Sequence, residues 1–183
     1  MFLNNVTKRR EHKDRQEKKM AKRVAYSAML VALAMIFSYV EALIPFSFGI
    51  PGIKLGLANL VVVIGLFFLK PLQVFGILIA RIVLVSFLFG NMSSLLYSLA
   101  GGILSFCMML ILKKCKGFSI TGISMAGGVS HNVGQIVVAA CVVENMHVFY
   151  YMPVLLIVGL ITGMLIGVVG QRVCHYLRVE RPD

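Results

Sequence analysis

Residues 24 to 170 string together apolar runs, each close to twenty residues long and separated by short clusters of charged and turn residues. A helical run of that length covers the roughly 30 Å hydrocarbon core of a bilayer. Lipid offers the backbone no water, so every N–H and C=O must be satisfied inside a helix or a closed barrel. The period-two alternation of barrel strands is absent, which leaves helices. With 59% hydrophobic residues and no tryptophan in 183, the expected fold class is all-α, a polytopic membrane bundle.

Six segments are predicted, at about 24–43, 55–69, 72–89, 94–112, 120–143 and 148–170. Lys70-Pro71, Gly90-Asn91 and the run Lys113-Lys114-Cys115-Lys116-Gly117 punctuate them. The second is short for a full crossing. Orientation follows from where Lys and Arg fall. With the N-terminus inside, sixteen of the 18 lie on the inner side, only Lys54 lies outside and Arg81 is within a span. Both termini are therefore expected in the cytoplasm of a bacterial cell.

The net charge of +11 does not point to nucleic acid, because nine of the 18 Lys and Arg crowd into the stretch before Val24, KRREHKDRQEKKMAKR. That stretch has no apolar periodicity and no aromatic platform. It reads as a flexible, solvated tail against anionic lipid headgroups. A signal peptide fits poorly, since the charged region is too long and no small-x-small site follows the first apolar run. The expected organisation is a basic tail at 1–23, a transmembrane domain at 24–170 and a second basic tail at 171–183.

Small residues recur four apart in three spans: Ala21, Ala25, then Ala28 and Ala32 in the first, Ala126, Ser130 and Gly134 in the fifth, Gly159, Gly163 and Gly167 in the sixth. Such spacing lets helix backbones approach closely. In the fifth and sixth spans it reads as packing inside the bundle. In the first it begins at the cytoplasmic end, where a partner could dock.

Several chemistries are missing. The only aspartates, Asp14 and Asp183, lie in the tails, so no aspartate pair can hold Mg²⁺ on a diphosphate. No GxxxxGK[ST] loop is present to bind ATP, and neither H-E-x-x-H nor G-x-S-x-G occurs. Ser130 beside His131 is no nucleophile pair, since adjacent helical positions point about 100° apart. Cys107, Cys115, Cys141 and Cys174 form no CxxC pair and read as small buried apolar residues. Binding or transport is expected rather than catalysis by this chain alone, with no cofactor and no metal.

What remains is a set of polar groups at membrane depth, where ionisable side chains are costly and mark functional sites. Arg81 lies midway along the third span. His131 lies midway along the fifth within GGVSHNVGQ, with Gln135 one turn on and Asn132 flanking. The stretch EALIPFSFGIPGIKLGLAN, residues 41–59, carries Lys54 and Asn59 and is too apolar for a solvent loop. It has the character of a lid. Asn91 opens the fourth span. Lys54, Asn59, Arg81, Asn91, His131, Asn132 and Gln135 are the candidate ligand contacts. Alternatives stand beside them: His131 as a bridge between helices, and Arg81 as a structural partner of Glu41 or Glu144. If Arg81, Lys54 and His131 share a cavity, their potential suits an anionic group.

IPGIKLGLANL, the stretch from Arg81-Ile82 to Leu88-Phe89-Gly90, YSLAGGILS at 97–105 and SHNVGQ at 130–135 together resemble one family. It is the group labelled both Gx transporter and heptaprenyl diphosphate synthase component I. That family in turn is similar to the substrate-binding S components of energy-coupling-factor vitamin transporters. The resemblance implies a six-helix, S-component-like bundle that binds a small molecule in its outer half, beneath a lid formed here by residues 45–59. It also implies docking through Ala28 and Ala32 onto a transmembrane coupling protein driven by ATPase subunits. The synthase label implies instead a membrane accessory to heptaprenyl diphosphate or menaquinone production. The same family is associated with flavin-based extracellular electron transfer, although no flavin or haem site is recognisable.

Overall fold

The computed structural model describes residues 2–43, 56–115 and 117–179. They form six α-helices: α1 (Phe2–Leu43), α2 (Leu57–Phe68), α3 (Pro71–Phe89), α4 (Met92–Lys114), α5 (Ile120–Val143) and α6 (Met152–Val179), with a 3-10 turn over Met146–Tyr151 before α6. Local chemistry sets several starts. Pro71 opens α3, where its missing N–H costs nothing. The Ser119 hydroxyl accepts the Gly122 N–H at 3.1 Å to begin α5. α1 runs unbroken from Phe2, so the basic segment and the first apolar run share one helix.

α1, α3, α4, α5 and α6 each contain a stretch long and apolar enough to cross a membrane. α2, with 12 residues, is only about 18 Å long. Unlike a water-soluble domain, the bundle exposes many large apolar side chains and places several polar ones inside, beside its apolar core. Phe87, Leu88, Ile111, Ile157, Ile161 and Leu165 are exposed, whereas Ser38, Ser86, Ser105, Ser124, Ser130 and Gln135 are buried. An apolar exterior around polar interior groups is what lipid demands. The cysteines follow this pattern and correct the expectation that all four are buried. Only Cys174 is inside, while Cys107, Cys115 and Cys141 lie on the outer surface.

α5 packs between α4 and α6, and small residues allow it. A Cβ added at Gly163 would stand 2.7 Å from the Ser124 carbonyl oxygen, and one at Gly167 would stand 2.7 Å from the Thr121 Cα. On the other side of α5, a Cβ at Gly134 would come within 2.8 Å of the Ala100 carbonyl oxygen. The small-residue stripes of α5 and α6 are thus used inside the bundle. The α1 stripe differs, for Ala21, Ala25, Ala28 and Ala32 all face outward, while Ala34 and Ser38 turn inward.

One half of the bundle is sealed by an apolar plug. Val62, Val63 and Leu66 of α2 meet Val74 and Leu78 of α3, Phe106 and Met109 of α4, Ile123 of α5 and Ile166 of α6. Its end is latched by Lys113, whose ammonium donates to the Leu66 carbonyl and lies 5.4 Å from the centroid of the Phe67 ring. The last carbonyls of a helix have no intrahelical donor, so this lysine serves the end of α2 from α4. Lys113→Met is expected to lower stability by about 1 kcal/mol, measurable as a fall in the unfolding temperature in detergent.

Candidate functional site

Beyond the plug, the other half of the bundle holds polar space. A cavity of about 120 Å³ is bounded by Ser38 and Glu41 of α1, Arg81 and Ser86 of α3, Ser94 and Ser98 of α4, and His131 and Gln135 of α5, with Gly56 and Asn59 entering from the start of α2. A smaller lobe of about 40 Å³ adjoins it. Gly56, Asn59, His131 and Gln135 line both, and Asn132, Thr162 and Ser124 line the lobe alone.

The position of α2 explains much of this. Gly56 shares walls with His131, so α2 begins about halfway along the bundle instead of at its surface. Gly56 has φ +71°, a left-handed conformation that suits glycine. The N-terminus of a helix carries partial positive charge, and a half-length helix delivers it to the interior of a membrane bundle. Glu41 answers that charge, since its carboxylate accepts the Gly56 N–H at 2.6 Å. Arg81 of α3 lines the same cavity as that carboxylate, so opposite charges from α1 and α3 border one space. α1, α2 and α3 thus meet electrostatically at the cavity wall. Tyr39 and Phe89, with ring centroids 5.4 Å apart, bring α1 and α3 together beside it.

Of the residues expected to touch a ligand, Asn59, Arg81, His131 and Gln135 come together around this space. Asn132 lines only the lobe, and its side-chain amide is engaged: Nδ2 donates to the Leu155 carbonyl of α6 at 2.6 Å. It bridges α5 and α6 one turn along from the close approach of Gly128 to Gly159. Asn91 lies elsewhere. Its carboxamide oxygen accepts the Ser94 N–H at 2.8 Å as the N-cap of α4, and it borders an adjacent groove of about 180 Å³. Asn91→Ala is expected to cost about 1 kcal/mol of stability through loss of the cap, read by thermal unfolding. Lys54, and residues 44–55 of the lid-like stretch as a whole, lie outside the described residues.

Of the two acids considered for Arg81, Glu41 shares its cavity. Glu144 terminates α5 at φ +52° and is exposed. Sequence reasoning passed over Glu41, Ser38, Ser86 and Ser98 as wall residues. Spacing carried a signal for some of them: Ser38 and Glu41 are three apart on α1, and Ser94 and Ser98 four apart on α4, so each pair shares a face.

The cavity walls present charged, amide and hydroxyl groups to one space. Among the described residues, no group of three His, Cys, Asp or Glu side chains is placed to hold a metal ion. Residues 30–173, most of the chain, match the family of heptaprenyl diphosphate synthase component I. The chain belongs to that family. No curated protein and no solved structure matches it. The matched region runs from the last third of α1 into α6 and takes in every wall of the cavity, while the basic start of α1 precedes it.

Proposed function

We propose that this component I protein is the small-molecule-binding membrane subunit of an uptake system, S-component-like in design. One observation carries the reading: an intramembrane cavity walled by Arg81, Glu41, Asn59, His131 and Gln135, closed at one end by an apolar plug. Pockets that combine shape with a few convergent polar groups are ligand sites by default, and intramembrane charge marks substrate pathways. The ligand enters from the outer side and sets an anionic group against Arg81. Lacking an ATP-binding loop, the chain relies on a transmembrane coupling protein and its ATPases. These dock on the outward-facing stripe of Ala28 and Ala32, where small side chains permit close helix approach.

The family name favours a second reading, in which the chain is a non-catalytic membrane accessory of heptaprenyl diphosphate synthesis. An accessory role in flavin-based extracellular electron transfer belongs to the same class. Affinity purification from native membranes separates the readings. Recovery of a coupling protein with its ATPases supports uptake, and that recovery is expected to fall at least tenfold in an Ala28→Leu, Ala32→Leu double variant. Stoichiometric recovery of a soluble prenyl diphosphate synthase without ATPases overturns it.

A further inference from the structure

If the chain captures a small molecule, as proposed, the chemistry of the cavity walls restricts what that molecule can be. Gln135 is 8% exposed, and its Oε1 is buried with no hydrogen-bond partner. The Nε of Arg81 is likewise buried and unmatched. Buried polar atoms in native proteins are nearly always partnered, so two orphans on one cavity call for a molecule that completes them. One is an acceptor and the other a donor. A ligand that replaces water at both atoms presents a donor to Oε1 and an acceptor to Nε–H.

Charge narrows the class. Arg81 on α3 and Glu41 on α1 place opposite charges on the walls of a single cavity. A simple anion would satisfy Arg81 but would set a like charge against Glu41 and leave Oε1 unmet. A simple cation would do the reverse. Either leaves uncompensated charge in a low-dielectric setting, which is costly. A zwitterion matches both walls and adds no net charge. Size narrows it further. A cavity of roughly 150 Å³ holds one benzene, so about 120 Å³ with a lobe of about 40 Å³ accommodates a molecule of amino-acid dimensions.

We propose that the cavity binds a small zwitterion of the amino-acid type, its carboxylate toward Arg81 and its ammonium toward Gln135 Oε1 and Glu41. The test uses the full-length chain in detergent and measures equilibrium binding of neutral amino acids no larger than glutamine. Propionate and ethylammonium serve as the two charged halves of alanine. The expected result is that at least one amino acid binds roughly tenfold or more tighter than either half, and that Gln135→Leu weakens it by about the same factor. Glu41→Gln, which keeps the shape of the wall, is expected to move preference toward propionate. Propionate binding as tightly as every amino acid overturns the zwitterion and leaves ligand capture standing. Recovery by native mass spectrometry of a retained molecule that is net charged, or much larger, does the same. A folded chain that binds no probe and retains no molecule overturns both readings.

Discussion

Gly163→Ala is expected to lower the stability of the bundle by about 3 kcal/mol, the upper end for overpacking a close-packed interior. The added methyl would stand 2.7 Å from the Ser124 carbonyl oxygen and 2.8 Å from the Met125 Cα. Both are backbone atoms of α5, which cannot rotate aside as a side chain could, so α6 must move away as a unit. That movement also stretches the Asn132–Leu155 bridge, which measures 2.6 Å. Gly76 supplies the control, because a Cβ there meets nothing within 4 Å. Gly76→Ala is expected to be neutral or to stabilise slightly through helix propensity. Thermal unfolding in detergent checks both, with a fall of roughly 10 °C expected for the first. Equal effects at the two positions would show that α5 and α6 do not touch as described.

Arg81→Met is expected to cost about 2–3 kcal/mol and to abolish ligand retention. The figure is below that for breaking a fully buried ion pair, since Arg81 and Glu41 border a polar cavity and are only partly buried. The cost arises because Glu41 keeps its charge and loses the cation opposite. Adding Glu41→Gln removes that charge, while its amide oxygen can still accept the Gly56 N–H. The double variant should therefore recover most of the lost stability, as read by thermal unfolding, yet remain unable to retain ligand. A purely structural Arg81–Glu41 pair predicts the other pattern, with stability and retention recovering together. The single and double variants thus separate the two roles weighed for Arg81 from its sequence position alone.

Much of the architecture was legible because lipid imposes strong rules. The segment expected at 120–143 coincides with α5, and that at 72–89 differs from α3 by a single residue. Charged clusters and Pro71 end apolar runs abruptly, which fixes boundaries. The expected start of the last span at 148 was less accurate. The apolar and aromatic residues Met146–Tyr151 form a 3-10 turn before α6 begins at Met152, and hydropathy cannot distinguish the two. The short second segment was visible as a length deficit, but not its consequence, a helix beginning inside the bundle at Gly56.

The candidate site was legible by residue type more than by geometry. Arg81, His131 and Gln135 stood out because polar side chains at membrane depth are costly, and all three line one cavity. Asn132 stood out equally but bridges α5 to α6, and depth alone does not reveal which partner an amide has found. Asn91 precedes Met92-Ser93-Ser94 at a helix start, a position where capping is the common fate of asparagine, and capping is what it does. Glu41 was noticed only as a possible mate for Arg81. Its contact with the Gly56 amide joins positions 15 residues apart, and no local pattern encodes that.

Native mass spectrometry of the full-length chain, released gently from detergent, reads ligand capture most directly. A folded chain carrying a small non-covalent adduct, absent from the Arg81→Met, Glu41→Gln variant, is the predicted result. A folded chain that carries no adduct, or one whose adduct survives unchanged in that variant, would contradict a binding site built around Arg81.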